Sequence, residues 1–196
     1  DHTHAVPVLS LSDQPDGEQL CRDVFGDRVG IVEYIMPGFQ LAKSAAAVFE
    51  LEPEVEGLIL LKHGIFTFGA DAREAYNRMI ELVTLAETRL ETAKTPVFPS
   101  ASLPSDPASV VQVAPILRGA LAQDWGGGDY ARVILDYRTS PDILAYVNGA
   151  ELERYSQQGV ATPDHVIRTK GKPLIVPAPS ASAVDAYSGH VRTAVS

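Results

Sequence analysis

Hydrophobic positions in this chain fall into short β-branched runs and one long helical stripe, separated by glycines and prolines. The compact run Leu58-Ile59-Leu60-Leu61, within residues 57–62, predicts a buried strand. His63-Gly64 interrupts it, and Ile65-Phe66-Thr67-Phe68 predicts a second strand ending at Gly69. Asp71 and Glu74 form an Asp-x-x-Glu capping box that opens a helix. Ala72, Ala75, Tyr76, Met79, Ile80, Val83, Ala86 and Leu90 then recur at helical spacing as one apolar face, with Tyr76 and Met79 packed in the core. Upstream, residues 29–35 read as a strand ended by Pro37-Gly38, and residues 41–51 as a helix closed by Pro53. Residues 6–11 fit either a short strand or a helix start, and residues 14–26 a turn followed by a short helix around Leu20 and Val24.

The second half is patterned less strongly. Residues 95–107 turn to Pro, Ser and Ala, which predicts a loop or linker. A helix is expected over residues 110–123, a turn at Gly126-Gly127-Gly128 and a strand over residues 132–137. Short helices are expected over 141–148 and 150–157, an extended segment over 161–179 and a helix over 183–196. No internal repeat is visible. The pattern by itself predicts a mixed α and β fold.

Composition narrows the partners. Of 196 residues, 45% are hydrophobic and 21% charged, as in ordinary globular domains. The net charge of -9 disfavours nucleic acid and anionic membranes as partners, while leaving an anionic small substrate open. No apolar run approaches the roughly 20 residues that span a bilayer, and the first residues do not resemble a signal peptide. Cys21 is the single cysteine, which excludes an intrachain disulfide and fits a reducing cytoplasm. The missing initiator Met, and a last helix that simply stops, suggest a piece trimmed from something longer at both ends.

Three histidine features are candidates for chemistry. In His2-Thr3-His4, side chains two apart on an extended backbone share a face, so both imidazoles can reach one metal ion; surface histidines are the plain alternative. His63 ends an apolar strand, where a satisfied core or turn histidine is the plain alternative. Gly64 lets the backbone turn tightly behind it. Together the three imidazoles make a ligand set with positions open for water or substrate. Thr162-Pro163-Asp164-His165 reads either as a turn with His165 exposed or as a segment bringing Asp164 or His165 to an active site. His190 reads as exposed. Gly126-Gly127-Gly128 is not followed by Lys-Ser or Lys-Thr, no Gly-x-Ser-x-Gly elbow exists, and no Gly-x-Gly-x-x-Gly fingerprint is present.

The order His-x-His, then Tyr34-x-x-Pro37-Gly38, then Leu60-Leu61-Lys62-His63-Gly64-Ile65-Phe66-Thr67-Phe68-Gly69 resembles the class II aldolase/adducin family. The helix carrying Ala72-Arg73-Glu74-Ala75-Tyr76, with Glu81 and Glu87 further along, adds to the likeness. Asp1-His2-Thr3-His4-Ala5 and the decapeptide Ala161-Thr162-Pro163-Asp164-His165-Val166-Ile167-Arg168-Thr169-Lys170 are similar to the branch in which a rhamnulose-1-phosphate aldolase is fused to a short-chain alcohol dehydrogenase. The resemblance implies an α/β fold, with a central mostly antiparallel sheet flanked by helices in three layers. It implies His2, His4 and His63 as ligands of one divalent metal ion, zinc in the family. It implies retro-aldol cleavage of a ketose 1-phosphate such as rhamnulose 1-phosphate, giving dihydroxyacetone phosphate and an aldehyde such as lactaldehyde. The ion would act as Lewis acid, and a homo-oligomer is expected because family sites lie between subunits. Tyr34 and His165 are the candidate catalytic residues, Tyr34 matching a family tyrosine near the substrate. The family's catalytic carboxylate is expected upstream of residue 1.

On this reading residues 1–95 are the metal-bearing part of the aldolase/adducin-like core, 96–106 a linker, 107–180 an extension packing on the core, and 181–196 a helix toward a further domain. Two alternatives stay open. One is an adducin-like interaction module without catalysis. The other is an unrelated three-histidine enzyme such as a cupin-type oxygenase or a hydrolase, which the long helix after His63-Gly64 disfavours.

Overall fold

The structure, a computed structural model, describes residues 1–92, 98–169 and 171–195. The start of the linker expected at 96–106 lies outside the described residues. The chain divides into two compact units, residues 1–95 with 159–171, and residues 96–158 with 172–196.

The first unit is built on a four-stranded sheet of β1 (His2–Thr3), β2 (Val29–Val32), β3 (Gly57–Leu60) and β4 (Gly64–Thr67), in the order β1-β4-β3-β2. Pairs β1/β4 and β4/β3 are antiparallel and β3/β2 is parallel, so the sheet is mostly antiparallel, as expected. The period-2 alternation of β3 decides the layers. Ile59 faces a core with Val8 and Leu11 of α1 (Val6–Ser12), Cys21 and Phe25 of α2 (Gly17–Phe25), and Met79, Leu82 and Ala86 of α4 (Ala72–Glu91). Leu58 and Leu60 face the opposite way, toward Leu41 of α3 (Phe39–Leu51), Val32 and Val55. Helices thus cover both faces of the sheet, a three-layer α/β arrangement.

Residues 6–11, which fitted either a strand or a helix start, form a helix, with Pro7 in its first turn, where its missing N–H costs no hydrogen bond. Other local expectations need correction. The strand after Arg28 stops at Val32, short of the expected Ile35. On α4, Ala75, Met79, Leu82 and Ala86 are buried, whereas Tyr76 and Ile80 are about half exposed. The buried positions at i, i+4, i+7 and i+11 form one narrow stripe, and Tyr76 and Ile80 lie beside it on a flank that no layer of this unit covers. Asp71 caps α4 by accepting from the Glu74 N–H (2.8 Å), but Glu74 reaches back to the Ala70 N–H (2.6 Å) rather than to the Asp71 N–H. Residues 163–168, expected as extended, form the short helix α8 (Pro163–Arg168), again with proline in the first turn.

The second unit holds α5 (Val110–Ala120), the hairpin β5 (Gln123–Gly126)/β6 (Asp129–Ala131), α6 (Pro141–Val147), α7 (Leu152–Ser156) and α9 (Val184–Val195). Helix α9 packs against α5 and buries Tyr187 and Val191. Phe98, Tyr146 and Tyr155 form a cluster with ring centroids 4.8–5.4 Å apart. Gly126, Gly127 and Gly128 all take positive φ and make the hairpin turn. The strand expected over 132–137 is not formed: among the described residues its apolar run finds no strand to pair with, and Ile134 is 94% exposed.

Candidate metal centre

The three histidines converge in the first unit. His2 lies on β1, with His2 opposite Phe66 and Thr3 opposite Ile65 of β4. Because side chains alternate along extended backbone, His2 and His4 share one face. Thr3 points the other way and donates its hydroxyl hydrogen to Met79 Sδ on α4 (3.3 Å), holding β1 on the core. His63 ends the turn between β3 and β4. Lys62 in that turn has φ 60, unusual for a residue with a side chain, and its N–H donates to Oγ of buried Ser12 (3.3 Å). The His63 N–H donates to the Leu60 carbonyl (3.0 Å).

Gly64 has a different part from the one the sequence suggested. Lys62, not Gly64, carries the left-handed turn. A Cβ at Gly64 would overlap the Thr3 carbonyl oxygen and lie 3.2 Å from both His2 Cε1 and His4 Cδ2. Glycine here allows β1 to approach β4 and bring His2, with His4 just beyond the strand, to the third histidine.

Ring centroids are 4.9 Å apart for His2 and His4, 5.2 Å for His2 and His63, and 5.1 Å for His4 and His63. One nitrogen from each ring lies within 4.8 Å of the others. Two nitrogens held at the usual zinc distance can be at most about 4.2 Å apart, so small ring rotations close the set on one ion. Hydrogen bonds fix two tautomers. His2 Nδ1 lies 3.0 Å from the Ile65 carbonyl, which can only accept, so Nδ1 carries the proton and Nε2 the lone pair. His4 Nδ1 donates in the same way to Asp164 Oδ2 (2.8 Å). Among the described residues, His4 Nε2 and His63 Nδ1 are buried without a hydrogen-bond partner. Two orphaned nitrogens side by side cost on the order of 1–3 kcal/mol each unless something binds them. A divalent cation fits that demand.

The electrostatics favour neutral imidazoles. Burial pushes the His2 pKa down, opposed by the hydrogen bond to Ile65 and helped by neighbouring His4. Burial likewise lowers His63, with His2 and His4 adding to it. Neutral rings are the form that ligates. The hydrogen bond from His4 holds the Asp164 carboxyl below its ordinary value.

Beside the histidines lies a cavity of about 530 Å³, bounded by His2 and His63, by Leu41, Ala45 and Phe49 of α3, and by Phe66, which stacks on His2 at 4.2 Å. Tyr34, in the loop after β2, is 51% exposed and does not line it. His165 is exposed and its Nδ1 is engaged by the Thr162 hydroxyl. Its neighbour Asp164, not His165, reaches the cluster, because the turn of α8 aims the two side chains differently. Ser12 carries no local signal for its part in the site, since nothing in the sequence links it to a turn fifty residues on.

Comparisons with known proteins place the chain in a family. Residues 1–90 match the family model described as "Class II Aldolase and Adducin N-terminal domain", and residues 108–196 match "Aldolase class II, second domain". The chain is 31% identical over 183 residues to "Uncharacterized oxidoreductase YuxG" of Bacillus subtilis (strain 168), covering 90% of this chain and 26% of that protein. A solved structure, "Structure of the N-terminal Class II Aldolase domain of a conserved protein from Thermoplasma acidophilum", is 36% identical, with a TM-score of 0.41 over 45% of this chain and 40% of that one. The chain belongs to the class II aldolase/adducin family. It spans about a quarter of the length of its curated relative. Class II aldolases generally use a divalent metal. Among the described residues, no helix is long and apolar enough to cross a membrane.

Proposed function

We propose that this chain carries the metal-binding part of an aldolase site, with His2, His4 and His63 holding one zinc ion for retro-aldol cleavage of a ketose 1-phosphate. The observation that carries the reading is the convergence of three imidazoles, with two buried nitrogens left unpartnered. Three neutral nitrogen donors with open positions suit zinc in a catalytic rather than a structural role. When bound, the ion supplies Lewis-acid stabilisation of the negative charge that develops on the ketose oxygens as the carbon–carbon bond breaks. The residues themselves do three things. Ile65 and Asp164 keep the protons of His2 and His4 on Nδ1 and so leave Nε2 free. Phe66 stacks on His2 and restricts its rotation. Leu41, Ala45 and Phe49 keep water from one side of the site.

Rhamnulose 1-phosphate is the substrate this reading favours, on the resemblance of the decapeptide at 161–170 to the rhamnulose-1-phosphate aldolase branch. The products would be dihydroxyacetone phosphate and lactaldehyde. A homo-oligomer accompanies the reading, and a longer aldolase/dehydrogenase protein is its natural setting. Tyr34 and His165 make no contact with the three imidazoles among the described residues and are given no step. The test is release of dihydroxyacetone phosphate from a panel of ketose 1-phosphates, with and without zinc. Zinc-dependent release that fails in His63→Ala supports the reading. A folded, zinc-loaded protein that cleaves none of them would favour the non-catalytic, adducin-like alternative.

A further inference from the structure

The second face of His4 is held by a residue far away in sequence. Asp164 Oδ2 lies 2.8 Å from His4 Nδ1, a hydrogen bond between residues 160 positions apart but within one compact unit. The carboxylate is delivered by α8, where Pro163 sets the first turn. The Thr162 hydroxyl engages His165 Nδ1, and the Thr169 N–H donates to the His165 carbonyl (2.8 Å) to close the helix. Opposite this bond, His4 Nε2 is buried and unpartnered. The contact is the side-chain counterpart of the backbone carbonyl that holds His2.

We propose that Asp164 is a positioning residue for the metal centre: it fixes His4 as the Nδ1–H tautomer and aims Nε2 at the ion, so the helix α8 that carries it is a working part of the site. This inference rests on the metal-site reading above and deepens it. A carboxylate behind a ligating imidazole orients the ring and raises its basicity, and its removal typically weakens metal binding about 10–100-fold. It also follows that the segment and the ion stabilise one another. Zinc held by His4 favours the Nδ1–H form that Asp164 accepts from, so zinc should slow amide exchange across residues 163–169.

The test uses the whole chain and its Asp164→Ala, Asp164→Asn and Ile167→Ala variants. Ile167 lies on the same helix but is 76% exposed, so its variant controls for damage to α8. Zinc affinity is read by chelator competition, and the His4 tautomer by nitrogen-15 NMR of the metal-free protein. Asp164→Ala should bind zinc about 10–100-fold more weakly and show mixed His4 tautomers. Asp164→Asn should fall between, and Ile167→Ala should match the parent. Parent-like affinity and an unchanged His4 tautomer in Asp164→Ala would overturn the role of Asp164 alone. A parent chain that takes up no zinc would overturn the metal reading and this inference together.

Discussion

Gly64→Ala is a one-methyl change that tests how the centre is assembled. The backbone tolerates alanine there, because Gly64 is not among the glycines with positive φ. The added Cβ, however, would overlap the Thr3 carbonyl oxygen and stand 3.2 Å from His2 Cε1 and His4 Cδ2. Carbonyl oxygen cannot rotate away as a side chain can, so β1 must shift off β4. Overpacking of this kind costs about 1–3 kcal/mol. Replacing a strand glycine returns about 0.5–1 kcal/mol through the unfolded chain, so a net loss of up to about 2.5 kcal/mol is expected. His2 on β1 and His4 directly after it, two of the three proposed ligands, would both be displaced, so zinc affinity should fall at least about tenfold, as it does when ligand orientation is disturbed. Urea unfolding gives the first quantity and chelator competition the second. Gly119→Ala, where nothing lies within 4 Å of the new Cβ, is the control and should be neutral to stabilising. Parent-like stability together with parent-like zinc affinity in Gly64→Ala would refute this account of β1.

Other consequences can be checked on the same protein. Leu82→Ala should cost about 2–5 kcal/mol in urea unfolding, because Leu82 is fully buried at the centre of the sheet–α4 core, whereas Tyr76→Ala should cost less than about 0.5 kcal/mol. The Cys21 thiol, pushed by burial up to about 11, should resist alkylation at pH 8 in the folded chain and react at once in urea. Its thiolate forms more readily unfolded than folded, so this group lowers stability only as the pH rises above about 9. For the metal-free chain, His2 and His63 have folded pKa values below their ordinary 6.5. The unfolded chain then binds more protons, so their contribution is intact above 6.5 and is lost as pH falls through the lowered folded values. Urea midpoints that stay flat from pH 7.5 to 5 would contradict that sign.

Much of the first unit is legible from local pattern. Leu58 to Leu61 and Ile65 to Phe68 announce their strands because an apolar run next to a glycine has few other uses, and Asp71 with Glu74 marks the start of α4 through chemistry confined to one turn. What the sequence hides is whatever depends on a distant partner. Tyr76 and Ile80 satisfy helical spacing as well as Leu82 does, and only the position of the neighbouring layers decides which side of α4 is buried. The run at 132–137 looks like a strand but has no strand to pair with. The same limit divides the site. His2 and His4 share a face by local geometry alone, and His63 ends a strand. That Asp164 rather than His165 meets His4 depends on one turn of helix at 163–168, which an extended reading of the segment misplaces. Gly64 reads as a turn glycine from its neighbours, yet it is needed for the approach of a strand sixty residues earlier.

The central claim is that three imidazoles form one metal site, and metal analysis by plasma mass spectrometry tests it most directly. The chain, stripped with chelator and reconstituted with zinc, should hold about one ion per chain, and His63→Ala should hold none after the same gel filtration. A chain that retains no zinc, or a His63→Ala variant that retains as much as its parent, would contradict the account.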